Sequence, residues 1–240
     1  IKDNKHDSMF GIEHEFFACY YGGKKPIHEQ DPDGSDKSDF YCGVGYEKAI
    51  GRPYLEEVFV ACRKAGLDVT GYNLEVAAGQ MEIQICSKGI DAADQSVLLK
   101  YIIHRVAENY KYHISFVAKP EFTKKYGING SGCHVNFSTR RMRDDDDYEH
   151  VMGFIHRLQE NHQETMKLYG DDNKERLVGT NETSDFDKFT FGVGNRGASI
   201  RIPRETYTSH RGYIEDRRPS SSADMYIVTG ELYKLYNNGN

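Results

Sequence analysis

The sequence predicts a globular domain of mixed strands and helices, on three observations. Five short segments alternate apolar with polar residues, the two-residue period of a half-buried strand. Three stretches repeat apolar residues at helical spacing, and a fourth helix is expected near the end of the chain. Charged residues make up 28% of the 240 and the mean hydropathy is −0.71, yet 17 Tyr and 12 Phe argue against disorder. At roughly 150 residues per domain, the length suits one to two domains.

The first strand comes early, at Phe10-Gly11-Ile12-Glu13, and Glu13 and Glu15 fall two apart on one of its faces. A chain that opens on Ile1 and reaches a strand so soon is expected to be a piece whose preceding domain lies outside it. Gly22 to Asp39 is a polar excursion rich in turn-forming residues. Tyr54, Leu55, Val58, Phe59 and Cys62 form a helical stripe ended by Gly66. In Gln80–Ile85, Met81, Ile83 and Ile85 face one way while Gln80, Glu82 and Gln84 face the other. Val97, Leu98, Tyr101, Ile102 and Val106 form a second stripe, with Asp91 as its expected cap. Lys119 to Gly130 reads as a loop.

Cys133–Ser138 divides into an apolar face (Cys133, Val135, Phe137) and a polar one (His134, Asn136, Ser138). The acidic run Asp144–Asp147 suits a helix N-terminus, and the stripe Tyr148, Val151, Met152, Ile155, Leu158 follows it. Gly170 to Lys188 is too long for a simple turn, and long loops in compact domains are often functional. Arg201 lies in the strand Ala198–Ile202, and Tyr213, Glu215 and Arg217 share a face of Tyr213–Arg217. The last helix covers Asp224 to about Tyr236.

A formal net charge of −6 does not favour non-specific nucleic-acid binding, and it leaves anionic substrates open. No apolar run approaches about 18 residues, so no membrane span is expected. The start has no signal-peptide pattern. Five scattered cysteines without a CxxC pair read as reduced thiols of a cytoplasmic chain.

The polar strand faces carry the chemistry. If they converge, they bring at least four carboxylates together, and two such charges 4 Å apart repel by about 4 kcal/mol at an effective dielectric near 20. Several such pairs would exceed the stability margin of a domain, so the cluster calls for divalent cations. Oxygen ligands with one imidazole favour Mg2+ or Mn2+ over zinc. Arginines beside them suit phosphate or carboxylate groups, and the combination is the equipment of phosphoryl transfer. No GxxxxGK[ST] motif is present, which excludes a Walker-type nucleotide site.

GIEHEF, YCGVGYEKAIGRPYLEE, NLEVAAGQMEIQI, NGSGCHVNFSTRRMR, RLVGTNETSDFDKFTFGVGNRGASIRIPR and GYIEDRRPSSSADMYIVT occur in the order expected of the glutamine synthetase family. The chain resembles its type II, eukaryote-like form over nearly its whole length. The resemblance implies an α+β fold, a curved antiparallel sheet backed by helices, with 1–240 as the catalytic domain. It also implies that a small N-terminal β-grasp domain lies outside this chain, and that subunits form stacked rings with sites between neighbours.

By resemblance, Glu15, Glu75 and Glu82 hold one metal ion, and Glu13, His134 and Glu215 hold a second nearer the ATP phosphates. The family uses two to three Mg2+ or Mn2+ ions per site. Arg196 and Arg201 match phosphate-holding arginines, and Arg217 matches the one near the transferred phosphoryl group. Arg176 matches the arginine on the glutamate carboxylate, and Asn129 and Gly130 match glutamate-binding positions. Asn136, Phe137, Ser138 and Tyr213 match the ATP site, as do Glu13 and Glu82 through its metals. Glu182 matches the loop glutamate that closes over the site.

The implied reaction joins ammonium to L-glutamate through γ-glutamyl phosphate, with ATP giving ADP and phosphate. In the family an aspartate of the neighbour's small domain helps deprotonate ammonium, and no residue here takes that part. The alternatives on the same fold are a γ-glutamyl-amine synthetase and a non-catalytic relative. The chain departs from the family pattern at Met9, His14, Phe16, Met81, Glu175 and Asn181.

Overall fold

The computed structural model describes residues 4–28, 40–180 and 183–239. Among the described residues the strands form one nine-stranded sheet around β1 (Met9–Tyr20), a twelve-residue spine. On one side of it lie β4 (Gln80–Lys88) and then β3 (Val69–Leu74). On the other lie β6 (Cys133–Ser138), β9 (Ile214–Asp216), β8 (Ile200–Ile202) and β7 (Phe191–Val193). β2 (Lys25–Pro26) and β5 (His113–Ser115) pair with the far end of β1. All pairs are antiparallel except β7–β8, which is parallel.

β1 writes two surfaces in one segment. Its even residues Phe10, Ile12, Phe16 and Ala18 are fully buried against the helices. Burying a side chain such as Phe10, Ile12 or Phe16 stabilises by about 1.5–3 kcal/mol. Its odd residues Glu13 and Glu15 point to the opposite face. Farther along that face, Phe17 and Cys19 enter a small second core with Ala77, Phe122 and Ile128.

The helix layer comprises α1 (Arg52–Lys64), α2 (Asp91–Tyr110), α5 (Tyr148–Glu160) and α8 (Met225–Asn237), all of which put side chains into the main core. α3 (Glu121–Tyr126), α4 (Arg140–Asp144), α6 (His162–Met166) and α7 (Arg204–Ser209) are short connectors. α1 buries Tyr54, Leu55, Val58 and Cys62, the expected stripe. α5 starts where the acidic run ends, with the Asp147 carboxylate accepting from the His150 N–H at 3.1 Å. Asp224 caps α8 in the same way through the Tyr226 N–H.

α2 differs from expectation. Its buried face is Ala92, Ala93, Ser96, Leu99, Ile102, Ile103, Val106 and Ala107, whereas Val97, Leu98 and Tyr101 are exposed. The expected stripe holds at Ile102 and Val106 and fails at the other three, because Ala92, Ala93, Ser96 and Ala107 share the packing with Leu99 and Ile103. Asp91 is not a cap but the first helical residue, where its charge still favours the N-terminus. The expected loop Lys119–Gly130 holds α3, and β3, β5 and β7 were not anticipated. The Gly22–Asp39 excursion lies largely outside the described residues. Among the described residues no helix is long and apolar enough to cross a membrane.

Candidate active site

Strand register assembles the site. Glu15 lies opposite Glu82 across the β1–β4 ladder, and Glu13 lies opposite His134 across β1–β6. Asn136 is paired to Glu215, and Glu215 to Arg201. Directly opposed residues of a ladder share a face, so the polar sides of five strands open into one cleft. Glu75 arrives from the β3–β4 turn, which its N–H closes by donating to Gln80 O at 2.9 Å. Gly79 sits there at φ 73°, where a side chain would press on Ala18 O.

The cleft holds a cavity of about 200 Å³ lined by five of the six expected metal ligands, Glu13, Glu15, Glu75, Glu82 and His134; the sixth, Glu215, is fully buried beside His134. The six fall into two groups, Glu15–Glu75–Glu82 and Glu13–His134–Glu215, each with ligand-capable atoms within 4.8 Å of one another. In the second group His134 Nδ1 is 3.3 Å from Glu13 Oε2 and 3.6 Å from Glu215 Oε1. Burial, then the Arg217 charge, pushes the His134 pKa down to about 3, which leaves a neutral imidazole able to ligate. In the first group Glu15 Oε2 accepts from Gln80 Nε2 at 2.9 Å and from the Gly132 N–H at 2.8 Å. Asn73 Nδ2 donates to Glu75 Oε1 at 2.9 Å.

No arginine or lysine pairs with the first group at ion-pair distance among the described contacts; Nε2 of the neutral His134 ring is 3.9 Å from Glu15. Burial, then repulsion from Glu15, raises the Glu75 pKa to about 8. Burial, then repulsion from Glu13, Glu75 and Glu15, raises that of Glu82 to about 9. Three buried carboxylates within reach of one another, backed by amide donors, form an oxygen donor set suited to a hard divalent cation.

Arginines close the other side of the cleft. The Arg217 guanidinium meets Glu215 Oε1 at 2.7 Å, and Arg201 Nε makes an ion pair with Glu215 Oε2. Arg196 is exposed at the rim, its guanidinium 5.4 Å from the Tyr41 ring centroid. Arg176 is buried deep in the cleft, and Asn129 and Gly130 line the cavity beside it. A side chain at Gly130 would collide with Ala118 O, so the backbone alone forms that wall.

A second cavity of about 380 Å³ continues along the sheet through Glu13 and Gln84. Asn136, Ser138 and Tyr213 line it, together with Met9, Ile85 and Arg143. The Phe137 side chain lies on the opposite face, fully buried against Phe10, Phe154 and Tyr236, because its parity in β6 is that of Val135. Glu182 and Asn181 lie outside the described residues. Of the other departures, His14 is buried between Ser96 Oγ at 3.0 Å and Cys133 Sγ at 3.4 Å, and Glu175 pairs with Lys124 at 2.6 Å.

Sequence reasoning passed over Gln80, which bridges Glu15 to Gly130 O, although its parity with Glu82 was legible. It also passed over a fully buried ion pair behind the cleft, between Asp216 and Arg218, whose only local signal is an acid and a base two apart.

A family model described as glutamine synthetase, catalytic domain, matches residues 1–232. Glutamine synthetase of Saccharomyces cerevisiae is 43% identical over 228 residues, 92% of this chain and 59% of that protein. Glutamine synthetase N-1 of Phaseolus vulgaris is 44% identical over 230 residues, 94% of this chain and 63% of that protein. The chain thus spans less than two thirds of the length of these relatives. A cryo-EM structure of Plasmodium falciparum glutamine synthetase shares the fold, with a TM-score of 0.78 at 20% identity over 97% of this chain and 51% of that one.

Proposed function

The chain belongs to the glutamine synthetase family, within its catalytic domain, and from that premise we propose that it carries the site at which ammonia is ligated to L-glutamate at the expense of ATP. The observation that carries this reading is the pair of three-ligand groups on one sheet face, with Arg201 and Arg217 beside them.

Glu15, Glu75 and Glu82 would hold one Mg2+ or Mn2+ ion and Glu13, His134 and Glu215 another, which fits an all-oxygen set and an oxygen set with one neutral imidazole. Bound there, such ions supply charge stabilisation to a transferring phosphoryl group. The arginines complement this. Arg201 and Arg217, which line the cavity, would neutralise phosphoryl oxygens, and Arg196 would meet the phosphate tail. Arg176, Asn129 and the Gly130 backbone would orient glutamate, so that its γ-carboxylate oxygen attacks the ATP γ-phosphorus and ADP departs.

Ammonia nitrogen then attacks the acyl carbon, and phosphate leaves as glutamine forms. The second cavity would take the nucleoside, using Asn136, Ser138 and Tyr213 side chains; Phe137 could offer only its backbone. Glu182 would act in shielding the acyl phosphate from water. The match over residues 1–232 supports reading the chain as catalytic domain, and assembly into rings is part of the same proposal. A cytosolic setting accords with a Medicago sativa relative named a cytosolic isozyme.

The test is γ-glutamyl hydroxamate formation from L-glutamate, hydroxylamine and ATP. Turnover should require ATP and Mg2+ or Mn2+ and fall by at least about 100-fold in Glu82→Ala. Turnover that ignores ATP, or survives Glu82→Ala, sinks the reading. A larger amine that outcompetes ammonia would identify a γ-glutamyl-amine synthetase instead.

A further inference from the structure

We propose that the buried Asp216–Arg218 pair, on the far face of the sheet from the cleft, is a positioning device that aims Arg176 at the anionic end of the substrate. This rests on the reading of the cleft as a glutamate site.

Both partners are fully buried. Arg218 Nε and Nη2 donate to the two Asp216 carboxylate oxygens at 2.8 and 2.7 Å, a forked pair. The Arg218 backbone N–H donates to the same carboxylate at 3.1 Å, and the Tyr169 hydroxyl adds a further bond at 3.0 Å. Tyr169 and Phe189 rings flank the guanidinium, with centroids 5.2 and 5.3 Å away. Residue 218 is therefore fixed through its side chain and its main chain at once. Pro219 restricts its backbone further.

The consequence appears on the cleft side. The carbonyls of Arg217, Arg218 and Pro219 all accept from Arg176 Nη2, at 3.1, 2.8 and 3.0 Å. In a regular strand successive carbonyls point to alternate sides, so three on one nitrogen require the chain to bend as soon as β9 ends. The Asp216–Arg218 fork spans that bend. Asn173 locks the arrangement, donating to Arg218 O at 2.6 Å and accepting from Arg176 Nε at 3.1 Å.

Nε and Nη2 of Arg176 are thus committed to the scaffold, and among the described residues the Nη1 edge is the one left to face a ligand. That edge looks toward the ligand group of the cleft: a Cβ built on Gly132 would lie 3.0 Å from Arg176 Nη1 and 2.8 Å from His134 Nε2. The direction of this one edge is set by the three carbonyls, and theirs by the pair behind the sheet.

The decisive variant is Arg218→Lys, which keeps the charge but cannot fork. Its KM for L-glutamate, and its Kd for L-glutamate by calorimetry with Mn2+ present, should rise by about 10-fold or more, with the KM for ATP within about twofold of wild type. A crystal structure should show Arg176 Nη2 released from at least one of its three carbonyls. An unchanged glutamate KM in a folded Arg218→Lys protein, or equal rises for glutamate and ATP, overturns the proposal.

If Arg218→Lys does not fold, Tyr169→Phe removes one bond to Asp216 and keeps the pair. It should raise the glutamate KM by a smaller factor of about 3, and no rise overturns the proposal. If wild type binds no L-glutamate, the functional reading fails. The positioning claim is then decided by Arg176 in the variant structure, and an unmoved guanidinium refutes it.

Discussion

Among the described residues, charges are buried on both faces of the same sheet. Behind the sheet, Asp216 and Arg218 satisfy each other within the chain, with Tyr169 completing the carboxylate. In front, Glu15, Glu75 and Glu82 crowd together with amide donors but no arginine or lysine at ion-pair distance among the described contacts. Burial costs charge of either kind. A set that closes on itself is scaffold. A set left open implies that something outside the chain completes it. Glu215, in the second group, lies between these extremes, since Arg201 and Arg217 already neutralise it in part.

The comparison breaks most visibly under opposite substitutions. Asp216→Ala strands a buried guanidinium and should cost about 3–5 kcal/mol in chemical denaturation, with no recovery on adding Mn2+. Glu82→Gln removes one of three repelling carboxylates and should leave the cation-free protein more stable by about 1 kcal/mol, while losing stabilisation by Mn2+. If both variants lose stability alike, the front set is scaffold too.

Acidity sharpens the contrast. Glu75 and Glu82 are harder to ionise folded than unfolded, since their pKa values rise from 4.5 to about 8 and about 9. Their contribution to stability is therefore full below about pH 4.5 and lost as pH climbs through about 8 to 9. Thermal unfolding of the cation-free protein should fall by more than about 5 °C between pH 5 and pH 9, and saturating Mn2+ should flatten that slope. A flat profile without cation would mean that the carboxylates do not share the site as described.

The smallest effect belongs to the surface. Glu175 stands where the family pattern has a basic residue, and it pairs with half-exposed Lys124 at 2.6 Å. Glu175→Gln should change stability by less than about 1 kcal/mol, as exposed pairs do, with glutamate KM unaltered. A larger shift would extend the scaffold class to the cleft rim.

Much of the front set was legible because a strand's parity is local. Glu13 with Glu15, Glu82 with Gln80, and Glu215 with Arg217 follow from spacing alone, and the ladders then align them. Glu75 was not legible that way, since a turn residue has no parity; only the family motif pointed to it. The back pair was missed because a charge on a core face contradicts the rule that assigns faces. α2 is legible only in part, at Ile102 and Val106: alanines and a serine share its contact surface with Leu99 and Ile103, and bulk is a poor guide when small residues let elements approach. Sequence reasoning also passed over β2, β5 and β7, which have two or three residues each.

β1 carries both codes at once, with Phe10, Ile12 and Phe16 facing the core and Glu13 and Glu15 facing the cleft. A slip of one residue would send the glutamates into the helices and the rings into the water. Core and chemistry therefore stand or fall together, and a mispaired chain cannot retain one without the other. For the history of such a protein this closes one route of variation. An insertion or deletion that shifts the register of β1 disrupts both surfaces at once, whereas exchange of side chains and changes in loop length leave the pairing intact.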